Sequence, residues 1–311
     1  MGEINTASFR DKGQKVIIHK ISKAAKELSF PNDKITFIEQ MISLSRLLMR
    51  YDFNISTEFR AIDEKAQDPT YFVAAYFDTK DIQQALWVHR MVRLLARYIL
   101  VYDRYFETGK NRYVILAKKV RNSINRTFEN EIDRHHLKYS IDLSLKQFWP
   151  FWKFEQILKS RIIQGNSFSY NEIRNFNLFK SSDASLIYAR VLDAKLPSFS
   201  ENVSLVLHYN QALLDLMDDW QDIEEDVRGD MPNVFIMSTI ENVPYNIIKK
   251  YRGTKLRNII INSLDTSDSP IIRLIDEYHA SIKKIFIPSN LVFIKLISDH
   301  HANALRQVVS S

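Results

Sequence analysis

Apolar positions recur at i, i+3, i+4 and i+7 along most of the chain, the period of helices that bury one stripe. This pattern predicts helices at about 14–29 and 34–51, the second opening after the capping stretch "FPND". Residues 56–80 are mixed, with "QDPTYF" reading as a turn into another helix. From 82 to 106 the sequence is apolar almost all round, apart from the stripe Arg90, Arg93, Arg97 and Arg104, so this helix should be buried on most sides. Further helices are expected near 112–130, 139–164, 169–194, 200–228, 244–264, 268–286 and 289–308. No repeat period or low-complexity linker divides the chain. The expectation is a single all-α domain over 14–311, behind a flexible tail at 1–13.

Composition narrows the classes. Six glycines and eight prolines in 311 residues are few for glycine-rich phosphate loops, a Rossmann fold or a many-stranded sheet. The absence of cysteine excludes disulfides and thiolate metal sites. The start "MGEINTASFRDKGQK" lacks an apolar core and does not read as a signal peptide. No run of uncharged apolar residues is long enough to span a bilayer, and a cytoplasmic location is expected. A net charge of +6 suits nucleic acid, a membrane surface or a phosphorylated small molecule, and decides nothing alone.

The stretch "LLDLMDDWQDIEEDVRGDMPN" does change the picture. On a helix over 201–228, Leu205, Val206, Tyr209, Leu213, Leu216, Met217, Trp220, Ile223 and Val227 share one face. Asp215, Asp218, Asp219, Asp222, Glu225 and Asp226 fall within an arc of roughly 120° on the other. Asp218, Asp222 and Asp226 stand at i, i+4 and i+8, one above the next, a spacing that presents carboxylates to a hard cation such as Mg²⁺. A solvated face usually interleaves signs, yet no Lys or Arg occurs between Lys195 and Arg228. An EF-hand beginning at Asp222 fails, because Val227 stands where glycine is needed and Asn233 where the bidentate glutamate is needed. A ferritin-like di-iron site fails for want of Glu-x-x-His.

"DDWQDIEEDVRGDMPN" resembles the second metal-binding motif of the class I isoprenoid synthases. Asp218, Asp222 and Asp226 match the N/D-x-x-x-D-x-x-x-D form of squalene and phytoene synthases. Asp218, Asp219 and Asp222 match the D-D-x-x-D of trans-prenyltransferases. The tail "DIEEDVRGDMPN" is similar to the large-terpene synthases, whose motif runs through E-E-D and G-D before an asparagine. Upstream, "KSSDASLIYARVLDAKL" resembles the prenyltransferase segment whose lysine contacts diphosphate, here Lys180. Arg174 stands near the place of the diphosphate-sensing arginine of terpene cyclases. The first metal motif has its best candidate in "VYDRYFETGKNR", where Asp103, Glu107 and Arg112 match and Arg104 replaces the second aspartate. Asp78 and Asp81 in "YFDTKD" are the rival.

The resemblance implies a helical bundle of the isoprenoid-synthase type with a central active-site cavity. Two carboxylate sets would face each other and hold Mg²⁺, three ions in the family. Asp103, Glu107, Asp218, Asp219, Asp222 and Asp226 would be the ligands. Arg112, Arg174, Lys180 and Arg228 would grip the diphosphate, and Asn233 would order the adjoining loop. Ionisation of an allylic prenyl diphosphate would then give a cation sheltered by apolar and aromatic walls. Phe72, Phe77, Tyr98, Tyr102, Phe148, Trp149, Trp152 and Tyr188 can supply such walls, and each also fits ordinary core. "FWPFWKF" reads first as core packing around a proline kink.

No G-G-K-R-type motif for a second diphosphate is found, which favours a terpene synthase over a chain-elongating prenyltransferase. A squalene/phytoene-synthase-like condensing enzyme stays open. So does a non-catalytic helical protein whose acidic face docks a basic partner. The basic run "KKVRNSINR" could meet phosphates, but no recognised nucleic-acid module accompanies it. "RHHL" at 134–137 and "DHHA" at 299–302 read as exposed polar ends. The expected partners are the prenyl diphosphate, a membrane surface touched peripherally, a second copy of the chain as homodimer, and no nucleic acid.

Overall fold

The computed structural model of the protein describes residues 6–28, 34–51, 69–128, 146, 148–264 and 269–309. These are 83% helical and contain no strand, as the helical period requires. The helices are α1 (Thr6–Glu27), α2 (Lys34–Tyr51), α3 (Thr70–Thr79), α4 (Ile82–Thr108), α5 (Asn111–Phe128), α6 (Phe148–Ile163) and α7 (Tyr170–Asp193). They continue with α8 (Glu201–Gln221), α9 (Ile223–Gly229), α10 (Val234–Thr239), α11 (Tyr245–Ile248), α12 (Gly253–Leu264), α13 (Pro270–Lys284) and α14 (Phe293–Val309), a 3₁₀ turn at Ser289–Leu291 preceding the last. The first helix begins inside the stretch expected as a tail. No described helix is long and apolar enough to cross a membrane.

The chain divides into two compact units. Unit 1 comprises Met1–His135 and Val191–Phe199; unit 2 comprises His136–Arg190 and Ser200–Ser311.

In unit 1, α4 packs against α3 and α5, and α1 against α2. The Asp81 side chain caps α4 by accepting from the backbone N–H groups of Gln83 and Gln84 at 2.8 and 3.3 Å. Gly109, with φ of +64°, closes the helix in the left-handed conformation that glycine adopts without penalty. The α4 interior is apolar through Leu86, Val88, Met91, Leu95 and Val101, as the sequence pattern predicts. Polar contacts tie in the segment 191–199. The backbone N–H of Ser198 donates to Asp78 at 3.0 Å, and Gln84 donates its amide to the Lys195 carbonyl.

In unit 2, α8 is the hub, packed against α10, α13 and α14. It buries Val203, Val206, Leu207, Leu213 and Leu216. Two of the expected helices are interrupted. The 200–228 helix bends at Asp222, separating α8 from α9. The 244–264 helix gives way to α11 and α12, with Gly253 at φ +55° between them. The six-residue α10 has no counterpart among the sequence-based expectations.

"FWPFWKF" forms the opening of α6, and its proline produces no mid-helix kink. Pro150 sits in the first turn, where its missing N–H would have had no helical partner. Phe151 stacks on Phe176 at 6.2 Å and meets Phe179 edge-on at 5.2 Å, fastening α6 to α7. Trp149, by contrast, is 49% exposed and stacks on Trp152.

Candidate functional site

The acidic stretch occupies the last two turns of α8, the bend at Asp222 and α9. It is only in part the solvated face that its charge alone suggests. Asp219 is only 2% exposed, whereas Leu205, assigned to the apolar face, is 41% exposed. A carboxylate enters this core because a cation meets it there. Lys180 Nζ on α7 stands 2.5 Å from Asp219 Oδ1, and the other oxygen accepts the backbone N–H of Val234 at 2.8 Å.

Asp215, one turn earlier, accepts from Ser181 Oγ at 2.5 Å and from Gln211 Nε2 at 2.9 Å. Asp226, in α9, accepts from Asn233 Nδ2 at 2.8 Å. The same amide nitrogen donates to the Asp219 carbonyl at 2.6 Å, and Asn233 Oδ1 caps α10 by accepting from Phe235 and Ile236. Asn233 therefore binds α8, α9 and α10 together from a single buried side chain.

One ammonium serves three carboxyl groups, of which Asp219 is buried and Asp215 and Asp226 are half-buried. Burial works against the charge on Lys180, but Asp219, Asp215 and Asp226 outweigh it and hold the lysine well above its usual range. Burial pushes Asp226 up to about 7, with Asp219 and Asp222 adding repulsion against the pull of Asn233 and Lys180. Burial likewise lifts Asp215 to about 6 despite Lys180 and Ser181, and raises Asp219.

The "GDMPN" tail is a turn with a defined structure. Asp230 adopts φ of +57° directly after α9, and Met231 N–H returns to the Asp226 carbonyl at 2.9 Å. Lys249 at 2.5 Å and the Tyr245 hydroxyl at 2.9 Å both bond Asp230 Oδ1. Burial opposes the charge on Asp230, yet these two donors hold it below the usual carboxylate range.

The predicted diphosphate contacts are placed as follows. Lys180 lies within the carboxylate cluster. Arg174 pairs with Glu277 at 2.5 Å, and Tyr170 donates to the second oxygen of the same carboxylate at 2.6 Å. Arg228 is exposed and turns its Nε to the Glu224 carbonyl of its own helix at 3.3 Å. Arg112, also exposed, bonds the neighbouring Tyr113 hydroxyl at 2.8 Å and belongs to unit 1. Asp103 and Glu107 lie on α4, in unit 1; Asp218, Asp219, Asp222 and Asp226 lie in unit 2. Of the rival pair, Asp81 caps α4 and Asp78 holds Ser198.

The chain matches no known protein family. No curated protein and no solved structure matches it either.

Among the described residues, no three His, Cys, Asp or Glu side chains are gathered closely enough to form a metal cage. Mg²⁺ differs from a caged metal in that it takes one or two carboxylates and completes its octahedron with phosphate oxygens and water. Asp218, Asp222 and Asp226 are all partly exposed, and a cation would relieve the raised pKa of Asp226. Asp219 fits less well, with both oxygens already accepting from Lys180 and Val234.

Several residues escaped the sequence reading. Ser181, Gln211 and Glu277 gave no signal, because a lone polar residue in a helix is ordinarily a surface one. His301, read as part of an exposed end, reaches Asn210 Oδ1 on α8 at 3.0 Å, and burial, followed by His300, pushes it down to about 4. "RHHL" lies outside the described residues. Of the candidate walls, Phe72, Phe77, Tyr98 and Tyr188 are buried, Tyr102 and Trp152 are partly exposed, and the Phe148 side chain lies outside the described set. In α4, His89 is driven down to about 3 by burial and by Arg93 and Arg97, which share its buried face.

Proposed function

We propose that the protein is a Mg²⁺-dependent class I isoprenoid synthase that ionises an allylic prenyl diphosphate, in the manner of a terpene synthase. The observation that supports this reading is the charge imbalance on α8 and α9: one lysine among the carboxyl groups of buried Asp219 and half-buried Asp215 and Asp226, with Asp226 pushed up to about 7. Native interiors rarely keep such an excess without use for it. In this reading Asp218, Asp222 and Asp226 hold the metal. Lys180 fixes Asp219 and with it the bend at Asp222, while Asn233 aims Asp226. Bound magnesium would supply neutralisation of the diphosphate, making it a leaving group. The parts given to Asp103, Glu107, Arg112, Arg174 and Arg228 rest on the sequence resemblance.

A second reading has its own observation. Asp215, Asp219 and Asp226 each accept hydrogen bonds from named donors, so the cluster also works as a polar fastening of α7, α8 and α10. The two readings separate on Asp222→Asn. The enzyme reading expects diphosphate release from geranyl, farnesyl or geranylgeranyl diphosphate that EDTA abolishes and that Asp222→Asn lowers by about 100-fold or more. Absence of release from every substrate, with thermal stability unmoved by Mg²⁺ plus diphosphate, would leave the fastening alone.

A further inference from the structure

Among the described residues of unit 2, α6 carries the most exposed large apolar side chains of any helix. The helix buries Phe151, Leu158 and Ile162. On the opposite side Trp149 is 49% exposed and Ile157 is 60% exposed. Trp149 and Trp152 stack with ring centroids 5.1 Å apart, and Lys153 Nζ lies 5.2 Å from the Trp149 centroid. At 100° per residue, the arc from Trp152 through Trp149 to Ile157 spans roughly 140°. It contains Lys153, Gln156 and Ser160 besides the apolar side chains but no carboxylate, because Glu155 lies roughly 120° round the helix from Trp149.

Basic charge adjoins this strip. α6 packs against α11, and Lys159 donates to the Gly229 carbonyl at 2.7 Å on the same flank. Immediately after α11 comes "KKYR", in which Lys250 and Arg252 are exposed and Lys249 is engaged with Asp230.

An exposed apolar strip of this kind marks an interaction site. The chemistry selects the occupant. Indole rings settle at the boundary between headgroups and acyl chains, where an apolar ring and a polar N–H are both accommodated. Lysine and arginine beside them are drawn to anionic headgroups, and the chain as a whole carries +6. We propose that α6, with the Lys250–Arg252 run beside it, docks the protein on an anionic lipid membrane. This surface is independent of the chemistry assigned to α8 and α9.

The test uses the full chain with vesicles of phosphatidylcholine, alone and mixed with phosphatidylserine, read by co-sedimentation and tryptophan emission. The parent should bind the mixed vesicles with a blue shift and leave the neutral ones largely unbound. Trp149→Ala combined with Ile157→Ser should weaken binding roughly tenfold while circular dichroism shows the helical content retained, since about half or more of each side chain is exposed. Lys153→Glu with Lys250→Glu should weaken it by a similar factor or more and reduce its salt sensitivity. Failure to bind either vesicle, or equal binding by parent and variants, would overturn the proposal. So would a parent dimer that light scattering shows dispersed by Trp149→Ala, which would make a second copy the occupant.

Discussion

Lys180 and Asp219 are worth more together than apart. Removing the lysine as Lys180→Met leaves a carboxylate that is almost wholly buried beside two other acidic groups. Such an orphaned charge costs about 3–5 kcal/mol, so chemical denaturation should show a loss of that order, partly recovered by adding Asp219→Asn. Asp226 makes a separate prediction about pH. Its folded value near 7 exceeds the ordinary 3.8, so between those values the folded chain retains a proton that the unfolded chain has released. Its contribution to stability is therefore full below about pH 4 and declines as the pH rises through about 7. His301 runs the other way, lowered from 6.5 to about 4, so its contribution grows as the pH rises across that interval. Asp226→Asn removes the first term and keeps the second. Its stability relative to the parent should climb steadily between about pH 4 and pH 7 in thermal melts; a constant difference would show that Asp226 is ionised throughout.

At the scale of elements, Asn233 shows what a cap can organise. α10 is too short to stand by itself, and it exists where it does because Asn233 satisfies its first N–H groups while bonding Asp219 and Asp226. Asn233→Ala should cost about 2 kcal/mol in denaturant unfolding, and Asn233→Asp should not rescue it, since a carboxylate would replace the amide donor between two carboxyl-bearing turns. Much of this was legible beforehand. The helical period located α4, α7, α8, α13 and α14, and the clustered aspartates drew attention to the stretch around Asp222, although one unbroken helix was expected there. What stayed hidden has a common cause. Pattern reading assigns charge to the outside, so it could not place Asp219 in the core, because the lysine that permits this lies on another helix. It likewise put Trp149 in the core, where about half of it is exposed, and His301 at an exposed end, where it is half-buried against Asn210. The pairing of helices is a tertiary fact, and no local window contains it.

On the scale of the molecule, the chain does not fold in consecutive halves. Unit 1 is closed by Val191–Phe199, a segment delivered by the end of α7, and no linker in the sequence marks the boundary. Asp78 is one of its fastenings, since it accepts the Ser198 backbone N–H. Asp78→Ala should leave that donor without its carboxylate and destabilise the protein by about 1–3 kcal/mol. Hydrogen exchange should show lost protection at Ser198 and along α3, with α8 and α10 unaffected. Equal loss in α8 would mean that the two units open as one.

That discontinuity has a consequence for birth on the ribosome. The segments that make up α1 to α5 leave the exit tunnel well before the nine residues that finish their unit have been decoded. At typical rates of about 5–20 residues per second, the nascent chain waits several seconds with the 191–199 seat empty, Trp87 among the residues waiting for Lys195 to cover its ring. During that interval it is a substrate for chaperones, and a slow stretch of codons between the two pieces would lengthen its exposure without changing a single amino acid.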